Sequence, residues 1–123
     1  MAEPNLRQPT TITGKTAVAT LSNTSETDVL VNAASSGKAL RLTSLFVANV
    51  DGSNNADITI KYYQAASGGT GYAIASTLAV PADSTVVLLT REQSLWLEEN
   101  NRITATASAA NDLTVVCSYE DVS

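Results

Sequence analysis

The sequence has 123 residues, a formal net charge of −5 and no histidine, and its length is typical of one domain. Without histidine there is no Ser-His-Asp triad and no histidine zinc site, and the single cysteine allows no intrachain disulfide. The acidic balance argues against a nucleic-acid-binding surface. Charged residues make up only 15% of the chain, and threonine, serine and alanine replace many of them. This composition favours a structural or assembly role over catalysis.

Residues 1–12 are predicted to form an extended polar arm in front of a single β-sandwich domain at residues 13–123. Pro4 and Pro9 lack a backbone donor and favour extended geometry in the residues before them. The arm is either a frayed terminus or a segment that orders on a neighbouring subunit. The sequence contains no secretory-type apolar stretch and no run of 18 apolar residues, so we expect synthesis and folding in a cytoplasm and no membrane contact.

Alternation of apolar and polar residues predicts β-strands along most of the chain. In chain order, strands are expected at about 16–22, 27–32, 40–50, 57–62, 71–80, 84–90, 94–98, 102–107 and 113–120. Turn-forming residues separate these segments, and one helical turn is expected at 91–94. Eight or nine short strands at this spacing predict an all-β fold, an antiparallel β-sandwich of jelly-roll or immunoglobulin-like type.

Side-chain parity predicts which face of each strand meets the core. In the third strand, the residues predicted to share the core-facing side are Leu40, Leu42, Phe46, Ala48 and Val50. Leu45 and Val47 make the opposite face of that strand partly apolar. The opposite faces of the other strands are rich in threonine and serine and carry few charges, so another chain can cover them at low desolvation cost. The alternative is an ordinary solvated sheet face.

Two glycine-containing segments resemble phosphate-binding loops without meeting their requirements. Gly14-Lys15-Thr16 matches the end of such a loop, but Pro9 stands where its first glycine belongs. We predict a turn leading into a strand there. The glycine-rich segment 67–71 is followed by an alternating run and not by a helix, so it is predicted to be a flexible hairpin tip.

The acidic segments also favour structural interpretations. Residues 51–57 offer oxygen ligands but lack the helix–loop–helix pattern and closing glutamate of a calcium loop, so they are predicted to form a turn. The adjacent acids Glu98-Glu99 and Glu120-Asp121 point to opposite faces of a strand, and neither pair alone can flank a glycosidic bond. We assign no catalytic, cofactor-binding or metal-binding residue, and we expect Cys117 to be a buried, inert thiol.

The candidate functional residues are therefore interface residues. Trp96 stands between Leu95 and Leu97 and faces outward if those leucines face the core, which makes it the main candidate for an interface anchor. The full set of interface candidates is Trp96, Tyr63, Tyr72, Leu6 and Arg7.

The C-terminal third reads Leu95-Trp96-Leu97-Glu98-Glu99-Asn100-Asn101-Arg102-Ile103, then Ala105-Thr106-Ala107-Ser108, then Leu113 to Glu120 ending in Ser-Tyr-Glu. It resembles the last strands of small β-sandwich virion proteins of tailed bacteriophages, especially marine and cyanobacterial phages. Those proteins tend to read Leu-x-x-Gly-Asp-x-Ile, then an Ala-Ser turn, then a strand ending in Ser-Tyr-Glu. Here Asn100-Asn101 replaces the Gly-Asp pair. The segment from Leu42 to Ile60 is similar as well.

The resemblance implies a virion structural protein on the capsid exterior, made in the host cytoplasm. Capsid decoration (cement) is one such role, in which many copies, often homotrimers, bridge subunits of the major capsid protein. The small size, the absence of a predicted long helix and the extended N-terminal arm favour it. The expected partners are thus the major capsid protein and the chain itself, with no nucleic acid, membrane or cofactor. The alternative is a neck, tail or fibre component, for example a receptor- or carbohydrate-binding module in which exposed Tyr63, Tyr72 and Trp96 stack on sugar rings.

Overall fold

The computed structural model describes Pro4 and residues 6–123; the other arm residues, Met1, Ala2, Glu3 and Asn5, lie outside the described residues. The strands are β1 (Ile12–Thr20), β2 (Thr27–Asn32), β3 (Ala39–Asn49), β4 (Ala56–Tyr63), β5 (Gly71–Val80), β6 (Thr85–Leu89), β7 (Leu95–Leu97), β8 (Asn101–Ala107) and β9 (Leu113–Val122). A single 3-10 turn covers Arg91–Gln93, where the sequence predicts one helical turn.

The strands form the predicted antiparallel β-sandwich. The first sheet has the order β1-β9-β3-β6, with β7 pairing to β3 as well, and the second has the order β2-β8-β4-β5. All pairs are antiparallel. Each sheet must bury one face, and stacking the two sheets satisfies both requirements at once.

The core lies between the sheets and is built from alternate residues of the long central strands. In β4 and β8 the alternating apolar side chains fill the core, because Ile58, Ile60, Ile103 and Ala105 are fully buried, although Thr104 on the opposite face of β8 is buried as well. The same holds for β9, where the fully buried side chains are Leu113, Val115 and Cys117. These strands are paired on both flanks within their own sheet, so the period-2 pattern of the sequence maps directly onto the core.

The core parity predicted for β3 is wrong beyond its midpoint. The pairing of β3 with β9 shifts register between Leu42 and Ser44, and such a bulge adds one residue and exchanges the two faces of the strand downstream of it. Leu45 and Val47 consequently fill the core at 0% exposure. Of the residues predicted to do so, Phe46 and Ala48 lie half-buried on the outer face. Val50 follows the strand end and is 63% exposed.

The first strand begins at Ile12 and ends at Thr20, earlier than the predicted range of 16–22. Its ladder with β9 is uninterrupted from Ile12 opposite Val122 to Thr20 opposite Thr114, so Gly14-Lys15-Thr16 lies within a strand and not in a turn. The pairing also continues into the predicted arm, because the backbone N–H groups of Thr10 and Thr11 donate to the carbonyl of Ser123 at 2.7 and 3.0 Å.

Two buried asparagines connect the sheets. The Asn32 amide at the end of β2 donates to the Leu97 carbonyl of β7 at 2.9 Å. The Asn49 amide at the end of β3 donates to the Val80 carbonyl of β5, also at 2.9 Å. Each bond joins one sheet to the other, and the buried backbone acceptors are thereby satisfied at both places. The alternation of apolar and polar residues gave no signal of these two bridging asparagines, because a buried amide breaks the apolar pattern.

Candidate functional site

The outer face of the first sheet carries a continuous row of apolar side chains across all four strands of its main path. Val18 on β1 lies opposite Val116 on β9, which lies opposite Phe46 on β3, which in turn lies opposite Val87 on β6. Val18 and Val87 are 64% and 59% exposed, while Val116 and Phe46 between them are half-buried. We call these four residues the apolar stripe. Neighbouring strands lie about 4.8 Å apart, so the stripe is roughly 15 Å long between its end residues.

Uncharged rows flank the apolar stripe on both sides. One row consists of Thr16, Ser118 and Ser44, and the other of Thr20, Thr114, Ala48 and Thr85. We call the stripe and these two rows the neutral face. Hydroxyl groups cost little to remove from water when a partner supplies hydrogen bonds, and burial of methyl groups is favourable. An ionised group, in contrast, costs several kcal/mol to bury unless it is paired.

Charge returns one row beyond the neutral face. There Gly14, Glu120, Arg41 and Trp96 lie in register across β1, β9, β3 and β7. The Arg41 guanidinium and the Glu120 carboxylate are 3.7 Å apart and about 30% exposed. This exposed ion pair marks one border of the neutral face. A partner that covers the neutral face can leave this pair in water.

The outward orientation predicted for Trp96 is confirmed. Leu97 is fully buried and Trp96 is 36% exposed on the outer face of the first sheet. Trp96 lines an open cleft of about 260 Å³ together with Pro4, Leu6, Ala39 and Glu98. The described part of the arm therefore lies beside Trp96 and brings two of the interface candidates, Leu6 and Trp96, together. Arg7 is exposed next to them. Whether these residues contact a partner stays a prediction.

The two tyrosines among the interface candidates have different environments. Tyr72 on β5 is 57% exposed, as expected. Tyr63 is only 7% exposed, so its predicted exposure is wrong. The physical reason is Arg102, whose guanidinium lies 3.8 Å from the centre of the Tyr63 ring and covers the face that a sugar would need. Tyr72 belongs to the second sheet and Trp96 to the first.

Glu26, which directly precedes β2, binds this tyrosine of β4 and a threonine of β8. Its carboxylate accepts hydrogen bonds from the Thr104 hydroxyl at 2.6 Å and the Tyr63 hydroxyl at 2.7 Å. These two bonds favour the ionised form and hold the pKa of Glu26 below its ordinary value, with the Thr104 bond contributing most. The reciprocal effect raises the pKa of Tyr63.

Stability should therefore fall in acid in a way that depends on Glu26. A carboxyl group whose pKa is lowered by folding stabilises the native state above its unfolded pKa of about 4.5. That contribution is lost as the pH falls through the lower pKa of the folded protein. We expect the urea midpoint of the wild type to drop more between pH 7 and pH 3 than that of Glu26→Gln, which has no such proton to bind. Equal drops in both proteins would contradict this assignment.

The acidic segment after β3 and the glycine-rich segment before β5 both form connections between strands. Asp51 accepts a bond from the Ser53 N–H at 2.8 Å, which stabilises the turn after β3, and this bond lowers the pKa of Asp51. Gly68 and Gly69, in the connection from β4 to β5, adopt positive φ angles of 65° and 80°. Within Pro4 and residues 6–123, no group of three or more acidic or cysteine side chains is placed to hold a metal ion.

Cys117 is a buried thiol, as predicted. Its side chain is fully buried in the core, and desolvation raises its pKa to about 12. The thiolate is the nucleophilic form, so this sulfur is unreactive in the folded chain. Across the described residues there is also no helix of the length and apolarity needed to cross a membrane.

Comparison with solved structures places this architecture among known folds. A chain from Bacillus endospore appendages, which form a novel family of disulfide-linked pili, matches 100% of this chain and 96% of its own length, with 14% identity and a TM-score of 0.53. A chain from the acidic stable capsid structure of Helicobacter pylori bacteriophage KHP30 matches 94% of this chain and 90% of its own, with 10% identity and a TM-score of 0.47. No family model and no curated protein matches the sequence. The likeness to the appendage chain establishes a shared fold.

The sequence did not contain enough information to find the apolar stripe. Its four members lie on four strands far apart in the chain, and only the pairing registers bring them into one row. Phe46 was moreover assigned to the core, because the bulge in β3 that turns it outward has no glycine or proline to signal it. The low charge of the outer faces is the one signal of this surface that the sequence carries.

Proposed function

We propose that this protein is a non-catalytic structural subunit that docks on a particle surface through its neutral face. The observation that carries this proposal is the apolar stripe, with Val18 and Val87 more than half exposed at its two ends. An apolar row in the middle of an uncharged sheet face has the composition of an interface centre, from which charged residues are depleted.

The specific role we propose is that of a bacteriophage capsid decoration protein on the virion exterior, bridging neighbouring major capsid subunits. The resemblance of the C-terminal third to phage virion proteins supports this role, and so does the β-sandwich fold. Each docked copy adds buried area between shell subunits, and the stabilisation of the shell grows with the number of copies bound. Copy number per particle separates decoration, with hundreds of copies, from a neck or tail component with a dozen or fewer.

The contacts in such an assembly are non-covalent on this chain's side. The similar appendage chain comes from disulfide-linked pili, but Cys117 is the single cysteine here and is fully buried. A thiol with a pKa near 12 inside the core cannot exchange with a disulfide of a neighbour without unfolding. Shape and desolvation at the neutral face supply the affinity instead.

A carbohydrate-binding tail or fibre module is the alternative role. It rests on exposed aromatic rings, and the burial of Tyr63 under Arg102 leaves Tyr72 and Trp96 on different sheets. A glycan array in which no sugar binds the wild-type chain would remove this alternative.

Substitution at the end of the stripe tests the docking role. We expect Val87→Lys to weaken co-sedimentation with capsids of the encoding phage at least about tenfold, since covering a lysine without a partner costs more than the 1.4 kcal/mol that corresponds to a factor of ten. Val50→Lys is the matched control, because Val50 is 63% exposed but lies outside the neutral face. Unchanged binding of Val87→Lys, or equal losses in both variants, would refute docking through this face.

A further inference from the structure

The free edge of β1 presents an unpaired ladder of backbone groups. In the described part of the chain, β9 is the one strand that pairs with β1. Thr11 and Ser123 exchange both of their backbone hydrogen bonds, and the Leu21 N–H donates to Leu113. Since hydrogen-bonded residues alternate along an antiparallel pair, odd-numbered residues of β1 face β9. The N–H and C=O groups of Val18 and the other even-numbered residues therefore point to the free edge.

The other three sheet edges are interrupted in ways that discourage strand addition. At the far edge of the first sheet, a 3-10 turn at Arg91–Gln93 interrupts the edge between β6 and β7. In the second sheet, β5 has two register shifts against β4, and Thr77 within it has a φ of 47°. The β2 edge carries Asp28 and a register shift next to it. In contrast, β1 keeps one register over its whole length.

We propose that β1 pairs antiparallel with β1 of a second copy of this chain, with the two-fold axis at Val18. This inference deepens the proposed assembly role and adds a contact that the neutral face alone does not provide. The pairing continues the first sheet from one copy into the next. An isologous contact of this kind closes as a dimer.

The side chains of β1 favour this register over those centred at Lys15 and at Thr16. With the axis at Val18, the two Val18 side chains lie directly opposite each other and Thr16 lies opposite Thr20 of the second copy. An axis at Lys15 would place two lysines opposite each other, and like charges in that position are destabilising. An axis at Thr16 would place Val18 opposite Gly14 and leave the valine without a side-chain neighbour. Each Val18 is 64% exposed in the single chain, and the Val18-centred register covers it.

The same register joins the two apolar stripes end to end. Val18 is the terminal residue of the apolar stripe. Its pairing with Val18 of the second copy therefore extends one apolar row across the first sheets of the two copies. Residues 16–20 carry no charge, and this matters because each chain has a net charge of −5. Two acidic chains meet here through a segment that contributes nothing to their mutual repulsion.

The molar mass of the purified chain in solution, measured by sedimentation in the absence of capsids, tests the pairing. We expect the wild type to sediment as a dimer of 12.8 kDa chains at high concentration and Val18→Lys to be monomeric, with a dissociation constant raised at least tenfold. Val87→Lys is the matched control, since Val87 is 59% exposed at the other end of the same stripe and remains outside the paired edge. Circular dichroism should show the same fold in all three proteins.

Three outcomes would overturn the proposal. The first is a monomeric wild type. The second is a dimer that both lysine variants dissociate, which would indicate face-to-face packing. The third is a trimer, the oligomer that the resemblance to decoration proteins implies, if Val18→Lys does not dissociate it. This experiment contains no capsid, so a negative result would not contradict docking on a shell. Conversely, if Val87→Lys does not affect capsid binding, the proposed dimer is not contradicted.

Oxidative cross-linking tests the register. Directly paired antiparallel residues have Cα atoms about 5.5 Å apart, within the range that a disulfide spans. With diamide as the oxidant of the two thiols, we expect Val18→Cys to form a covalent dimer at least tenfold faster than Thr16→Cys, whose cysteines lie apart in this register. The native Cys117 is buried and does not contribute. Faster cross-linking of Thr16→Cys would show that the axis is not at Val18.

Discussion

Replacing Leu45 with alanine should destabilise the protein by about 3 kcal/mol, whereas Phe46→Ala should cost less than about half of that. Leu45 is fully buried between the sheets, and removal of a buried leucine side chain costs about 2–5 kcal/mol because a cavity remains. Phe46 is half-buried on the outer face, where water replaces the lost contacts. Urea unfolding followed by circular dichroism measures both differences.

The parity of the sequence predicts the reverse order, which makes this pair of substitutions a direct test of the bulge in β3. If Phe46→Ala were the more damaging change, the register shift between Leu42 and Ser44 would be absent and the neutral face would lose its central aromatic ring. Both variants keep the chain's charge, so electrostatic effects do not enter the comparison.

Local pattern was sufficient to predict where several strands begin and end. The expected strands at 27–32 and 71–80 coincide with β2 and β5, because alternating residues between turn-forming clusters leave few other conformations. The outward position of Trp96 followed from the same reasoning. A bulge is different: its position is set by how β3 fits between β9 and its other neighbours, and that fit is a property of the packed sheets.

The proposed docking surface was less predictable than the fold, for a reason of geometry. A sequence pattern reports which side of its own strand a residue faces, while the apolar stripe is a row across four strands. Such a row depends on three pairing registers at once. Tyr63 is a further case, since its burial follows from a contact with Arg102 across neighbouring strands and not from any local feature of β4.

Arg102→Ala should be the second strongly destabilising change, at about 3 kcal/mol. The guanidinium is 9% exposed and 3.4 Å from Asp28, stacks on the Tyr63 ring, and donates to the carbonyl groups of Ala65 and Gly68. Truncation leaves two acceptors and a carboxylate without their cation, and breaking a buried charged network by removing one partner costs about 3–5 kcal/mol. We place this variant at the lower limit because Asp28 is 59% exposed and can be solvated.

The effect of Arg102→Ala should be concentrated in the connection from β4 to β5. Its hydrogen bonds to Ala65 and Gly68 hold this glycine-containing segment against the second sheet, so hydrogen exchange at residues 64–70 should accelerate well before global unfolding. Arg102→Lys should not restore protection, because an ammonium group lacks the planar fork that reaches two carbonyls while stacking on a ring.

Arg41→Ala provides the matched control: its ion pair with Glu120 is 3.7 Å long and about 30% exposed, and such pairs contribute about 0–1 kcal/mol. Equal destabilisation by the two alanine variants would mean that Arg102 acts only as another surface charge.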